Sequence, residues 1–144
     1  MRPDEEQERP QVLLAEDDER LRKAMAGALR RRGFGVTELA DGARLLQRVE
    51  RWVRRGRRGP LHAIVSGVQL PSRSGLDALS RLRASDTRLP FVLVTGHADR
   101  RTIAAAFENG ATALLQRPFD LDMFRRLIER VVDEGPTVKM AGRR

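Results

Sequence analysis

The sequence predicts an α/β fold: a doubly wound, five-stranded parallel sheet with helices on both faces, forming a single domain. Three observations carry that expectation. Five short apolar runs alternate with segments of helical period, the pattern that feeds a parallel sheet through crossover helices. The runs are continuously apolar rather than alternating, as strands covered on both faces are. A length of 144 residues with 40% hydrophobic and 33% charged residues suits one domain with a sizeable core, not a disordered chain.

The elements follow in order. Residues 1–10 are acidic and polar with two prolines, and are expected to form a mobile arm. Gln11 to Ala15 (QVLLA) is the first strand. Residues 19–32 place Leu21, Met25, Ala28 and Leu29 at helical spacing and end at Gly33, a natural residue after a helix. Residues 35–40 are the second strand. After the Asp41-Gly42 turn, residues 43–53 return to helical period through Leu45, Leu46, Val49 and Trp52. Residues 61–68 are the third strand, followed by a turn at Leu70-Pro71-Ser72-Arg73-Ser74-Gly75 and a helix carrying Leu76, Leu79 and Leu82. Residues 90–95 are the fourth strand and 99–109 the fourth helix. Ala113 to Gln116 is the fifth strand, and Asp120 caps a last helix with Leu121, Phe124, Leu127, Ile128 and Val131 inward. The domain is expected over 11–134, with a basic flexible tail at 135–144.

Composition excludes several classes of function. No cysteine is present, so disulfides, thiolate nucleophiles and Cys-ligated zinc are out. No apolar run approaches the ~18–20 residues of a membrane span, and the N-terminus lacks a signal-peptide core, so the cytoplasm is the expected location. The net charge is +8, and of 28 basic residues only Lys23 and Lys139 are lysines. Arg51, Arg54, Arg55, Arg57 and Arg58 cluster after the second helix. Such a run can touch nucleic acid or an acidic partner, but it lacks interleaved aromatics, and a solvated loop is the expectation. Trp52 is expected to pack on the sheet. His62 and His97 show no metal-ligand spacing.

In a doubly wound sheet the functional site lies at the carboxyl ends of the strands. There the sequence puts Glu16-Asp17-Asp18, Ser66-Gly67-Val68, Thr95-Gly96-His97 and Gln116-Arg117-Pro118. Adjacent carboxylates can hold a hard cation such as Mg²⁺, or can simply favour the following helix N-terminus. Both alternatives stand on spacing alone. No Ser-His-Asp set or nucleophile elbow is present, and the chain is not expected to be an enzyme.

The segments VLLAEDDERLRKAM, DG at 41–42, LPSRSGLDAL, LPFVLVTGHAD, NGA at 109–111 and RPFD at 117–120 resemble, collinearly, the receiver domain of two-component response regulators. The resemblance covers roughly residues 11–134 and implies the flavodoxin-like strand order 2-1-3-4-5. It implies that Glu16 and Asp17 are the acidic pair, Asp17 the more direct Mg²⁺ ligand, and that Gln69 completes the metal site through its backbone carbonyl. Thr95 would be the hydroxyl that senses a phosphoryl group, and Pro118 would follow a cis peptide bond.

Two departures matter most. The phosphoacceptor aspartate position is Gly67, which offers no atom for an acyl phosphate, and the lysine position is Arg117, whose planar head differs in shape and reach. A softer one is Leu114 at the aromatic switch position. Ser66 should aim into the core and Asp18 should cap the first helix, so neither replaces the missing acid. With one carboxylate fewer, Mg²⁺ binding is expected to be weak or lost, and Arg117 is expected to fold over Glu16 and Asp17. No other cofactor is implied.

The resemblance also implies a signalling face on helix four, strand five and helix five, carrying Arg100, Arg101, Glu108, Asp120, Arg125, Arg126 and Glu129. A protein partner such as a histidine kinase or an effector, or a second copy of the chain, would read it. The expected function is a stand-alone receiver-like interaction module, independent of phosphorylation. The alternatives are a receiver phosphorylated on another acceptor, and a nucleic-acid binder using the arginines of 51–58.

Overall fold

Alternate side chains of each central strand enter two separate cores, and this divides the helices between the faces of the sheet. The computed structural model describes residues 9–56, 59–85 and 88–134. In it β1 (Gln11–Ala15), β2 (Gly35–Leu39), β3 (Leu61–Gly67), β4 (Phe91–Thr95) and β5 (Ala113–Gln116) form one parallel sheet in the order β2-β1-β3-β4-β5. Five helices connect and follow the strands: α1 (Glu19–Arg30), α2 (Gly42–Arg54), α3 (Gly75–Arg83), α4 (Arg100–Glu108) and α5 (Leu121–Glu134). The predicted architecture and strand order are therefore the observed ones. The arm expected over 1–10 lies, except for Arg9 and Pro10, outside the described residues, as do Arg57, Arg58 and the tail from 135.

On one face Val12, Leu14, Val65 and Val94 pack with Met25 and Leu29 of α1 and with Phe124 and Ile128 of α5. On the other, Leu13, Ile64 and Leu93 pack with Leu45 and Val49 of α2, Leu79 and Leu82 of α3, and Ala106 of α4. Full burial of one such Leu, Ile or Phe contributes about 1.5–3 kcal/mol, so the double-sided core holds the strand ends in place. The period-2 alternation of a strand is what allows one short run to serve both.

Polar caps start the helices just beyond the strands' carboxyl ends. Asp18, Asp41 and Asp99 each accept a backbone N–H of the helix they precede, and Ser74 with Asp77 closes a capping box on α3. Asp120 accepts from Asp122 N at 2.7 Å, as its predicted capping role requires. The first helix is two residues shorter than predicted. Residues 31–33 turn instead, because Gly33 takes φ 92° and Phe34 N–H returns to the Leu29 carbonyl. Gly75 is needed at the start of α3: a Cβ there would collide with the Gly67 carbonyl and the Ser66 hydroxyl. Its absence lets α3 begin directly against the end of β3. Among the described residues no helix is long and apolar enough to cross a membrane.

Candidate functional site

Because β1 and β3 are neighbours whose chains leave in opposite directions across the sheet, a crevice opens at their carboxyl ends. Glu16 follows β1, Gly67 ends β3, Thr95 ends β4 and Arg117 follows β5. Residues far apart in sequence meet here. Arg117 Nη1 lies 3.4 Å from Glu16 Oε2, across 101 positions of chain. The Arg117-Pro118 peptide is cis.

Glu16 is 1% exposed and has two unlike oxygens. Oε2 accepts from the Asp18 backbone N–H at 3.0 Å and from Arg117, whereas Oε1 has no partner among the described residues. Burial pushes the Glu16 carboxyl above its ordinary range. The Asp18 N–H and the Arg117 charge oppose that shift, and neighbouring Asp17 adds to it. Arg117 is itself partly solvated, so the pair compensates the buried charge incompletely.

The orphaned Oε1 faces the place where residue 67 lacks a side chain. A Cβ on Gly67 would stand 3.5 Å from Glu16 Oε1, 3.7 Å from the Gln69 carbonyl oxygen and 3.1 Å from Leu70 Cδ2. Two of the three predicted metal donors thus converge on this point, and Leu70 encroaches on it. Asp17 is exposed, and no contact between Asp17 and Arg117 is described. The expected fold-over of Arg117 therefore reaches Glu16 alone. Among the described residues no three His, Cys, Asp or Glu side chains gather as a metal cluster. A hard divalent cation takes six or more oxygens, usually including more than one free carboxylate. The donor set here, with Glu16 already paired to Arg117, does not fit one well.

Thr95 is 6% exposed, and its hydroxyl accepts from His97 N–H at 3.1 Å, which fixes the turn after β4. Ser66 is fully buried, as its position on the strand predicts, and its hydroxyl donates to the Gly67 carbonyl. Asp18 Oδ1 accepts from Leu21 N–H at 3.1 Å and is therefore occupied as a cap.

On the expected signalling face, Arg100, Arg101, Glu108, Asp120 and Arg126 are exposed. Arg125 is not available in the same way: it is 16% exposed and pairs with Asp122 and Glu129 of its own helix. Glu129 is also held by Arg32 at 3.2 Å.

Sequence reasoning missed Arg22. Its Nη1 donates to the Glu16 backbone carbonyl at 2.9 Å and its Nε to Glu38 Oε1 at 3.1 Å, tying β2 to the start of the site. The spacing of Arg22 and Arg30 along one face of α1 was a visible signal. Its meaning required knowing that β2 puts Glu38 beneath them.

Residues 12–129 match the response regulator receiver domain. The chain is 33% identical over 138 residues to the C4-dicarboxylate transport transcriptional regulatory protein DctD of Pseudomonas aeruginosa, covering 91% of this chain and 28% of that protein. It is 27% identical to the transcriptional regulatory protein FixJ of Bradyrhizobium diazoefficiens, over 86% of this chain and 57% of that one. The chain thus spans only part of the length of these relatives. Among solved structures, the Francisella response regulator 1452 receiver domain superposes with a TM-score of 0.74 at 19% identity, covering 87% of this chain and 98% of that chain. The non-phosphorylated HemR receiver domain of Leptospira biflexa does so at 0.71 and 26% identity, covering 86% and 94%. The sheet order, the acids after β1 and the match over residues 12–129 lead to one conclusion: the chain belongs to the receiver domain family of two-component response regulators.

Proposed function

We propose that this receiver domain signals by protein contact, without phosphorylation at the family's position and without enzymatic activity of its own. One observation carries the proposal. At the end of β3, where the family resemblance puts an acceptor aspartate, stands Gly67, and the space beyond it is bounded by Glu16 Oε1 and Leu70. A glycine supplies no oxygen on which an acyl phosphate forms. Ser66 and Asp18 are already engaged elsewhere, in the core and as a helix cap.

Mg²⁺ binding is correspondingly weak in this proposal, since the Arg117 guanidinium takes up one of the two remaining carboxylates. The partner is a protein, either a histidine kinase, an effector or a second copy of the chain. It docks on α4, β5 and α5 through Arg100, Arg101, Asp120 and Arg126. Mixed charges on such a face set register and specificity more than affinity. The cytoplasm is the proposed location.

The deciding experiment offers the chain acetyl phosphate, and separately a histidine kinase with radiolabelled ATP, both with Mg²⁺. The expected result is no stoichiometric label. Stoichiometric, acid-labile label on the chain overturns the proposal.

A further inference from the structure

At the opposite end of the sheet, a cavity of about 170 Å³ lies between the carboxyl-terminal half of α2 and the amino ends of β1 and β3. Leu13, Leu61 and the ring of Trp52 give it apolar walls, and Arg48, Arg51 and Arg55 stand around it. No acidic side chain lines it. Arg48 and Arg51 lie one turn apart in α2 and Arg55 caps its carboxyl end, so the end of α2 presents all three guanidinium groups to the cavity.

Among the described residues no carboxylate pairs with these arginines. Arg22, Arg30, Arg81 and Arg125 each hold a carboxylate. By contrast, the guanidinium groups of Arg48, Arg51 and Arg55 have no ion pair or hydrogen bond among the described residues. Three like charges gathered at one end of a helix repel one another, and an anion placed between them relieves that repulsion. Guanidinium groups match phosphate oxygens in pairs and also lie well against aromatic rings.

We propose that this cavity binds a small organic phosphate bearing one flat ring, of the size and charge of a pyrimidine nucleoside monophosphate. An apolar cavity of about 150 Å³ accommodates a benzene ring, so the space beside Trp52 takes a single ring and leaves the phosphate at the arginines. Thr37, which also lines the cavity, has no side-chain hydrogen bond among the described residues and can bond the ring's polar edge. The site is independent of Glu16, Gly67 and Arg117, so it requires no chemistry at the strands' carboxyl ends.

Trp52 is the only tryptophan and tyrosine is absent, so intrinsic fluorescence excited at the red edge reports on the cavity itself. The full chain is titrated at low salt with uridine 5′-monophosphate, with uridine, and with inorganic phosphate, and calorimetry provides a second readout. The expected result is a saturable response to the nucleotide, at least about tenfold tighter than to either half alone, because ring and anion bind together. Arg51→Gln combined with Arg55→Gln changes exposed positions and leaves the far-ultraviolet circular dichroism unchanged, yet weakens binding about tenfold or more. Three outcomes each overturn the proposal. They are no saturable response, equal affinity for inorganic phosphate (an adventitious ion only), and tighter, steeply salt-dependent binding of a single-stranded oligothymidylate, which would make this face a nucleic-acid surface.

Discussion

Glu16 and Glu38 sit on or just beyond neighbouring strands, and their surroundings differ in one respect that decides their behaviour. Glu16 has a side chain 2% exposed, a guanidinium at 3.4 Å and an oxygen without a partner among the described residues. Glu38 has a side chain 14% exposed and three cations around it: Arg22 at 3.1 Å, Lys23 at 3.4 Å and Arg30 at 3.0 Å. Burial pushes both carboxyls up. At Glu38 the hydrogen bonds from Arg30, Arg22 and Lys23 outweigh it and hold the carboxyl below its ordinary range, whereas at Glu16 burial wins. The lesson is that ionised acids near a strand end are tolerated according to the number of donors that reach them, not according to the net charge of the chain.

The comparison breaks most sharply at Arg117. Arg117→Ala leaves Glu16 buried with only the Asp18 N–H against its charge, and the expected cost at neutral pH is about 2 kcal/mol by urea unfolding, less than for a fully buried pair because Arg117 meets solvent. A cost near zero would mean that Glu16 is already protonated in the folded state.

Gly67→Asp attacks the same acid from the other side. It adds a carboxylate beside Glu16 Oε1 and crowds Leu70 Cδ2, so a loss of about 1–2 kcal/mol is expected without metal. Millimolar Mg²⁺ should recover part of it in a thermal melt, since a third carboxylate improves the donor set. If Mg²⁺ shifts the melting temperature of the wild type as much as that of the variant, Gly67 is not what limits the site.

At Glu38 the effect is smaller and of a different kind. Glu38→Gln weakens three partly solvated ion pairs, with an expected cost of about 1 kcal/mol that shrinks as salt is raised. A cost insensitive to salt would point instead to the hydrogen-bond geometry around Arg22.

The smallest effect is a difference in pH dependence. Glu16 has a folded-state value above the ordinary 4.5, so between the two the native state binds more protons than the unfolded chain. Its ionisation therefore costs stability, absent below 4.5 and growing as pH rises through the folded value. Glu38, with its value lowered from 4.5, contributes stability that is present above 4.5 and is lost as pH falls through the folded value. Stability of the wild type relative to Glu16→Gln should thus decline with rising pH, and relative to Glu38→Gln should increase. Parallel curves from the two variants would erase the distinction drawn between these acids.

Much of the molecule was legible in the chain. Largely apolar runs at 11–15, 61–68 and 90–95 marked strands because a sheet covered on both faces leaves little room for polar side chains within it. Asp18 and Asp120 marked helix starts because a short polar side chain satisfies the first free N–H groups, whereas the caps at Asp41, Ser74 and Asp99 became visible only in the structure. The acids after β1 and the glycine after Ser66 were equally plain. What could not be read was contact. The reach of Arg117 to Glu16 but not to Asp17, the intrusion of Leu70 beside Gly67, and the grouping of Arg22, Lys23 and Arg30 on Glu38 all depend on how elements far apart in sequence are packed.

The sequence by itself determined the parallel sheet, its double-sided core, the helix caps at Asp18 and Asp120 and the absence of a side chain at residue 67, because these follow from local pattern and residue identity. Only the tertiary structure decided that, among the described residues, Glu16 keeps one oxygen without a partner, that the cation beside it comes from beyond β5, and that three arginines without an ion pair surround a cavity beside Trp52. Burial and distance set those energies, and both are properties of the packed molecule rather than of any stretch of chain.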